Sequence, residues 1–125
     1  MLIDSTLILT KKGWLPISKL KKDMILASPK GHFVKIKDIH VIRNYNNKLF
    51  IINQDLLSKN KPFKSLYLTG DNKVFSQKSN KWFLPRFVSP RQYKAPKPIN
   101  LYNIILNNPK DTLFANGMVI SSMKK

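Results

Sequence analysis

The chain has 125 residues and an apolar share of 42%, which predicts one domain, residues 1–125, with a single hydrophobic core. It contains no cysteine, which excludes disulfides, thiolate zinc sites and a cysteine nucleophile. Lysine and arginine number 23 against six acidic residues, so the net charge of +17 favours polyanionic partners: nucleic acid, an anionic membrane surface or an acidic protein surface.

Short apolar or alternating runs between turn signals predict an all-β domain, because helical periodicity is nearly absent. Pro16 restricts the segment after the first predicted strand to a sheet edge or a one-turn helix, in which Ile17 and Leu20 stand at positions i and i+3. In chain order the predicted strands cover 7–10, 24–27, 33–43, 49–52, 66–69, 73–76, 82–84, 87–88, 102–106 and a closing pair within 113–122.

The longest predicted strand, 33–43, changes phase along its length. Val34 and Ile36 share one parity, whereas Ile39 and Val41 share the other. A β-bulge near Lys37 would restore the register of the apolar face and increase the local twist.

The closing pair of strands is interrupted by Asn116-Gly117. This dipeptide tolerates the positive φ values of a primed hairpin turn, so we expect a tight β-hairpin that ends in Ser121 and Ser122.

Four prolines lie between residues 85 and 98, interleaved with basic residues. Proline cannot donate to a sheet, so this stretch is predicted to be an extended, basic surface arm, away from the centre of any sheet.

A longer basic segment, 73–97, contains no acidic residue and is interleaved with Trp82, Phe83, Phe87 and Tyr93. Cations beside aromatic rings are typical of single-stranded nucleic acid binding, although the same aromatics would also suit a core beneath a solvated loop. The candidate binding residues for nucleic acid or an acidic partner are Lys73, Lys78, Lys81, Arg86, Arg91, Lys94 and Lys97.

Three blocks, in this order, resemble those of the Hint (Hedgehog/intein) self-processing domain. They are the opening stretch 1–10 with 13–17 and 20–26, the internal stretch Leu68-Thr69-Gly70-Asp71-Asn72-Lys73-Val74-Phe75, and the closing stretch 114–122. The resemblance spans nearly the whole chain and implies a flattened horseshoe of two pseudo-symmetric halves.

The chemistry of that family is an acyl shift, in which a Cys or Ser at the first position attacks the preceding carbonyl and an internal His polarises the peptide. Here the resemblance puts Met1 at the nucleophile position, Asn72 at the internal His, and Ser121-Ser122 at the terminal His-Asn pair. A thioether carries no proton to lose, and an amide does not titrate near pH 7. We also expect Met1 to be retained, because Leu2 is bulky, and expect no peptide before it.

The degenerate site positions are therefore Met1, Thr69, Asn72, Ser121 and Ser122, with Thr112 at the position of a further family His. The resemblance implies the fold and not the reaction, so we expect no enzyme activity, no cofactor and no small-molecule substrate.

Other polar residues give weaker signals. Ser5 is the remaining hydroxyl near the amino terminus that could act as a displaced nucleophile, but a turn or strand serine bonded to its own backbone explains it better. His32 and His40 lie at opposite ends of one predicted strand and lack a third ligand, so we expect no metal site. Asp4, Asp38 and Asp71 suit turns and bulges.

We expect a catalytically inactive Hint-like domain that acts as a structural or binding module inside a cell, without a transmembrane segment. By analogy alone, a basic free-standing domain rich in Lys, Asn and Ile suggests a virion component of a large DNA virus, in contact with virion proteins. The alternatives are a nucleic-acid-binding protein and a domain with residual autoprocessing activity.

Overall fold

The computed structural model describes residues 1–122. Within this range the chain forms thirteen strands, one 3₁₀ helix (Ile17–Lys19) and one helical turn, α1 (Pro85–Val88). The strands are β1 (Leu2–Ile3), β2 (Leu7–Thr10), β3 (Gly13–Pro16), β4 (Ile25–Ala27), β5 (Phe33–Tyr45), β6 (Leu49–Ile52), β7 (Leu66–Leu68), β8 (Val74–Ser76), β9 (Lys81–Phe83), β10 (Gln92–Tyr93), β11 (Ile99–Leu106), β12 (Thr112–Ala115) and β13 (Met118–Ser121).

The strands form one antiparallel sheet in the order β10-β6-β7-β1-β11-β5-β4-β2-β12-β13-β8-β9, with β3 attached to β2. The sheet has two halves, and β5 belongs to both, since its first residues pair with β4 and its remainder pairs with β11. The all-β prediction is confirmed. In the described part of the chain, no helix is long and apolar enough to cross a membrane.

One apolar cluster fills the inside of the curled sheet and joins the two halves. Leu2 and Leu68 contribute from one half, and Ile8, Val74 and Ile120 contribute from the other, each at most 3% exposed. Since side chains alternate between the faces of a strand, the neighbours of these residues point outward.

The predicted bulge in β5 is confirmed. Asp38 pairs with Ile105 and Ile36 pairs with Leu106, so Lys37 is the additional residue on this strand. The bulge keeps Ile36 fully buried and lets Ile39 pack against the cluster. Val41 lies two residues further on the same face of β5 as Ile39, but it is exposed because β5 extends beyond the core.

The Pro-rich stretch 85–98 is not extended throughout. It begins with the helical turn α1, which has Pro85 at its start, where a missing N–H costs nothing. The prediction of a strand at 87–88 is therefore wrong. Gln92 and Tyr93 form an edge strand against β6, which agrees with the expected exclusion from the sheet centre.

The closing hairpin is formed by β12 and β13, and both turn residues adopt positive φ, 49° at Asn116 and 86° at Gly117. The turn is also enclosed by other parts of the chain. A Cβ atom added at Gly117 would lie 2.8 Å from the backbone oxygen of Asn60 and 2.8 Å from the Phe63 ring.

Replacing Gly117 with Ala should therefore destabilise the fold by two separate effects, backbone strain and steric overlap. Gly31 is the matched control, because its φ is 83° but nothing lies within 4 Å of an added Cβ. We expect Gly31→Ala to lower the free energy of unfolding by about 1 kcal/mol and Gly117→Ala to lower it by about 3 kcal/mol, measured by urea unfolding. Equal losses for the two variants would contradict the enclosed turn.

Candidate functional site

Strand pairing places the first residue of the chain beside the internal block. β1 lies between β7 and β11, with Leu2 opposite both Leu68 and Tyr102. The backbone N–H of Thr69 donates to the Met1 carbonyl at 3.0 Å and continues the β1–β7 pairing by one residue. Met1 is thereby held at the point where β7 ends and the turn 70–72 begins.

The Met1 amino nitrogen is held by polar side chains of the internal block. It donates to Thr69 Oγ1 at 2.7 Å and to Asn72 Oδ1. It also lies 3.6 Å from Asp71 Oδ1, and the Thr69 hydroxyl donates to the same carboxylate. Asn72 is only 3% exposed, so its amide is directed at Met1 within the protein and not at solvent. The first and fourth residues of the Thr-x-x-Asn block thus both contact position 1.

Burial is the largest single influence on the pKa of both the Met1 amino group and the Asp71 carboxyl group. It lowers the pKa of the Met1 amino group from 8.0 to about 6, although the Asp71 carboxylate favours the charged form. Burial also raises the pKa of Asp71, but the hydrogen bond from Thr69 and the charge of Met1 outweigh this, so its pKa is lowered overall. The protonated amino group is therefore less favoured here than at an exposed chain terminus.

The closing serines use their hydroxyls as structural acceptors. Ser121 Oγ accepts from the backbone N–H of Lys73 at 3.1 Å, and the Ser121 N–H donates to the Lys73 carbonyl at 2.9 Å. Ser122 is buried, and its Oγ accepts from the Leu106 N–H at 3.2 Å. Because Lys73 follows Asn72, these bonds place the closing strand next to the internal block.

The structure thus brings together Met1, Thr69 and Asn72 in direct contact, with Ser121 one residue away from them. Thr112 pairs with Ser121 across the hairpin. Ser5 does not join this site, because it is exposed in the turn between β1 and β2.

The two histidines also lie elsewhere. His32 is 3.3 Å from Asp111, and His40 is 3.3 Å from Asp38. Among residues 1–122 no group of three or more His, Asp or Glu side chains could hold a metal ion. The site can hold an amino or amide nitrogen through Thr69 and Asn72, but it offers that nitrogen no imidazole.

The seven predicted basic residues are all exposed, and they fall into two groups along the strand order of the sheet. Three of them lie on or beside β8 and β9 at one end of the sheet order, and four lie around α1 and β10 at the other end. The first group is Lys73, Lys78 and Lys81, and the second is Arg86, Arg91, Lys94 and Lys97.

The structure also adds basic residues that sequence reasoning missed. Lys30 and Lys110 line the same depression as Lys73. Their position in two Pro-Lys turns was the only local signal, and it does not reveal that the turns lie close together.

The buried amino group should make stability depend on pH in a protein that begins at Met1. Between pH 8 and about 6 the unfolded chain binds a proton that the folded chain does not, so stability should fall by about 2 kcal/mol as pH is lowered through this range and level off below it. Urea unfolding of a His32→Gln/His40→Gln variant, which has no other group that ordinarily titrates there, measures this change. The matched control is the Nα-acetylated protein, which has no amino group to titrate. If its free energy of unfolding still falls between pH 8 and about 6, the Met1 amino group is not the cause.

No protein-family model and no curated protein matches the chain. Solved structures do match it. A bacterial intein-like domain from Clostridium thermocellum has a TM-score of 0.67 and 14% sequence identity, and the match covers 98% of this chain and 97% of that one. The MchDnaB-1 intein has a TM-score of 0.65 and 10% identity, and the match covers 98% of this chain and 100% of that one. The Msm DnaB1 intein splicing domain bound with zinc has a TM-score of 0.63 and 13% identity, and the match covers 98% of this chain and 100% of that one. At these identities the likeness concerns architecture, and the chain has the intein/Hint fold.

Proposed function

We propose that this protein is a catalytically inactive Hint-like domain that serves as a structural or binding module. One observation carries the proposal: Thr69 and Asn72 hold the nitrogen of position 1, while position 1 itself bears a thioether. The site therefore keeps the contacts expected from the resemblance, but position 1 has no nucleophilic side chain and position 72 has no imidazole to exchange protons.

The neighbouring groups offer no replacement for the missing chemistry. The hydroxyls of Ser121 and Ser122 accept hydrogen bonds from backbone N–H groups of other strands, which fixes them as parts of the sheet. An acyl shift needs a nucleophile, a proton relay and an upstream carbonyl together. Residual autoprocessing is accordingly the weaker alternative.

A reporter fused upstream of residue 1 tests this proposal. We expect no thiol-dependent cleavage of the fusion with the unchanged chain. Met1→Cys combined with Asn72→His supplies both missing groups and should be cleaved about 100-fold faster than Met1→Cys combined with Asn72→Ala. Gel analysis with and without added thiol gives the rate.

Met1→Cys combined with Asn72→Ala is the matched control, because it supplies the nucleophile without the proton relay. Cleavage of the unchanged chain would overturn the claim of inactivity. Failure of the doubly substituted chain, with its fold intact by circular dichroism, would show that the site does not keep a competent shape.

The binding role rests on charge. A domain with a net charge of +17 attracts polyanions, and the seven exposed cations at 73–97 are free to meet them. We propose the virion of a large DNA virus as its location, because a packaged genome or an acidic virion protein would supply the counter-charge.

Nucleic-acid binding is the second candidate function, favoured by two aromatic rings exposed among these cations, Trp82 at 42% and Tyr93 at 40%. Affinity for single-stranded DNA should fall steeply with salt, with a log–log slope of about −2 or steeper if three or more phosphates are contacted. Fluorescence anisotropy across a salt series measures it. The absence of binding at low salt would rule out this candidate.

A further inference from the structure

A groove crosses the outer face of the closing sheet, opposite the core. It consists of two adjoining depressions of about 410 and 620 Å³. Phe75, Gln77 and Val119 line both depressions, so the two are continuous along β8 and β13. Each falls within the size range of ordinary ligand sites.

Strand alternation explains the apolar floor of this groove. Val74 and Ile120 point into the core and are fully or nearly fully buried, so Phe75 and Val119 point to the opposite face, where they are half-buried. β9 adds Trp82, whose ring centroid lies 5.3 Å from that of Phe75 and which is 42% exposed. Trp82 and Phe75 thus present aromatic rings to solvent from two paired strands.

The rim of the groove is basic. Lys30, Lys73 and Lys110 surround the larger depression, and Lys61 and Lys78 flank the smaller one. The one acidic residue among the lining residues, Asp111, lies 3.3 Å from His32 Nε2. Five cations around an aromatic floor are a more specific arrangement than the diffuse charge of the whole chain.

We propose that this groove binds single-stranded nucleic acid, with bases stacked on Trp82 and Phe75 and phosphates contacting the rim lysines. The inference rests on the proposed binding function and deepens it by locating the ligand away from the Pro-rich stretch 85–98. Stacking tolerates every base and phosphate contacts carry no sequence information, so binding is sequence-independent.

An acidic peptide is the competing ligand of similar charge. Carboxylates would satisfy the lysines, but they would leave the Trp82 and Phe75 rings without a flat partner. A nucleobase covers such a ring face, which is why the aromatic floor favours nucleic acid over peptide.

The experiment uses the full chain with Trp14→Phe, so that Trp82 is the only tryptophan. Oligothymidylate is added across a salt series, and both fluorescence quenching and affinity are recorded. We expect oligothymidylate to quench the fluorescence of Trp82. The affinity of the Trp82 variants, which keep Trp14, is measured by the anisotropy of a labelled oligothymidylate. Trp82→Ala should lower the affinity by about 5- to 150-fold, and Trp82→Phe should lower it less.

The charge test compares two double variants of equal net charge. Lys73→Ala/Lys110→Ala should reduce the salt slope by about 1.4, because two phosphate contacts are lost. Lys19→Ala/Lys48→Ala, which removes the same charge from exposed positions outside both the groove and the segment 73–97, should leave the slope nearly unchanged. Thermal melts of all variants verify that the fold is retained.

Three results would count against the groove. Equal losses for the two double variants, without quenching, would mean diffuse attraction and would leave the proposed binding function standing. If polyglutamate quenches Trp82 and displaces bound oligothymidylate as effectively as unlabelled oligothymidylate does, the groove binds acidic peptides instead. No binding of either polyanion at low salt would refute the binding function itself along with the groove.

Discussion

The fold depends on the side chain and backbone of Asn116, which tie the closing hairpin to two other parts of the chain. Its Oδ1 accepts from the Leu7 N–H at 2.8 Å, its own N–H donates to the Leu7 carbonyl at 2.8 Å, and its Nδ2 donates to the Ser65 carbonyl at 3.1 Å. A buried amide with its groups paired in this way specifies one position for the turn. Since the hairpin carries Val119 and Ser121, both the groove and the part of the Met1 site next to Ser121 depend on Asn116.

The contacts around Met1 belong to the sheet as much as to any chemistry. The bond from the Thr69 N–H to the Met1 carbonyl extends the β1–β7 ladder, and the bond from the Ser121 N–H to the Lys73 carbonyl extends the β13–β8 ladder. These backbone bonds do not depend on which side chains stand at positions 1 and 72. The shape of the site is thus maintained by strand pairing, whereas any reactivity depends on the side chains that it carries.

Local chemistry in the sequence predicts much of this structure. Asn116-Gly117 predicts its own hairpin, and the parity change in 33–43 predicts the bulge at Lys37, because each signal lies within a few residues. The turn α1 was missed because Phe87-Val88 is a strand-forming pair and one turn is too short to show helical periodicity. The convergence of Lys30 and Lys110 on Lys73 was missed because it depends on how distant turns meet.

The site around Met1 and the groove are physically continuous, and Lys73 joins them. Its backbone pairs with Ser121, the residue before it is Asn72, and its side chain lines the groove. Because the backbone of Lys73 holds Ser121 while its side chain lines the groove, a change to that side chain alone alters the groove and leaves the backbone bonds beside Asn72 in place.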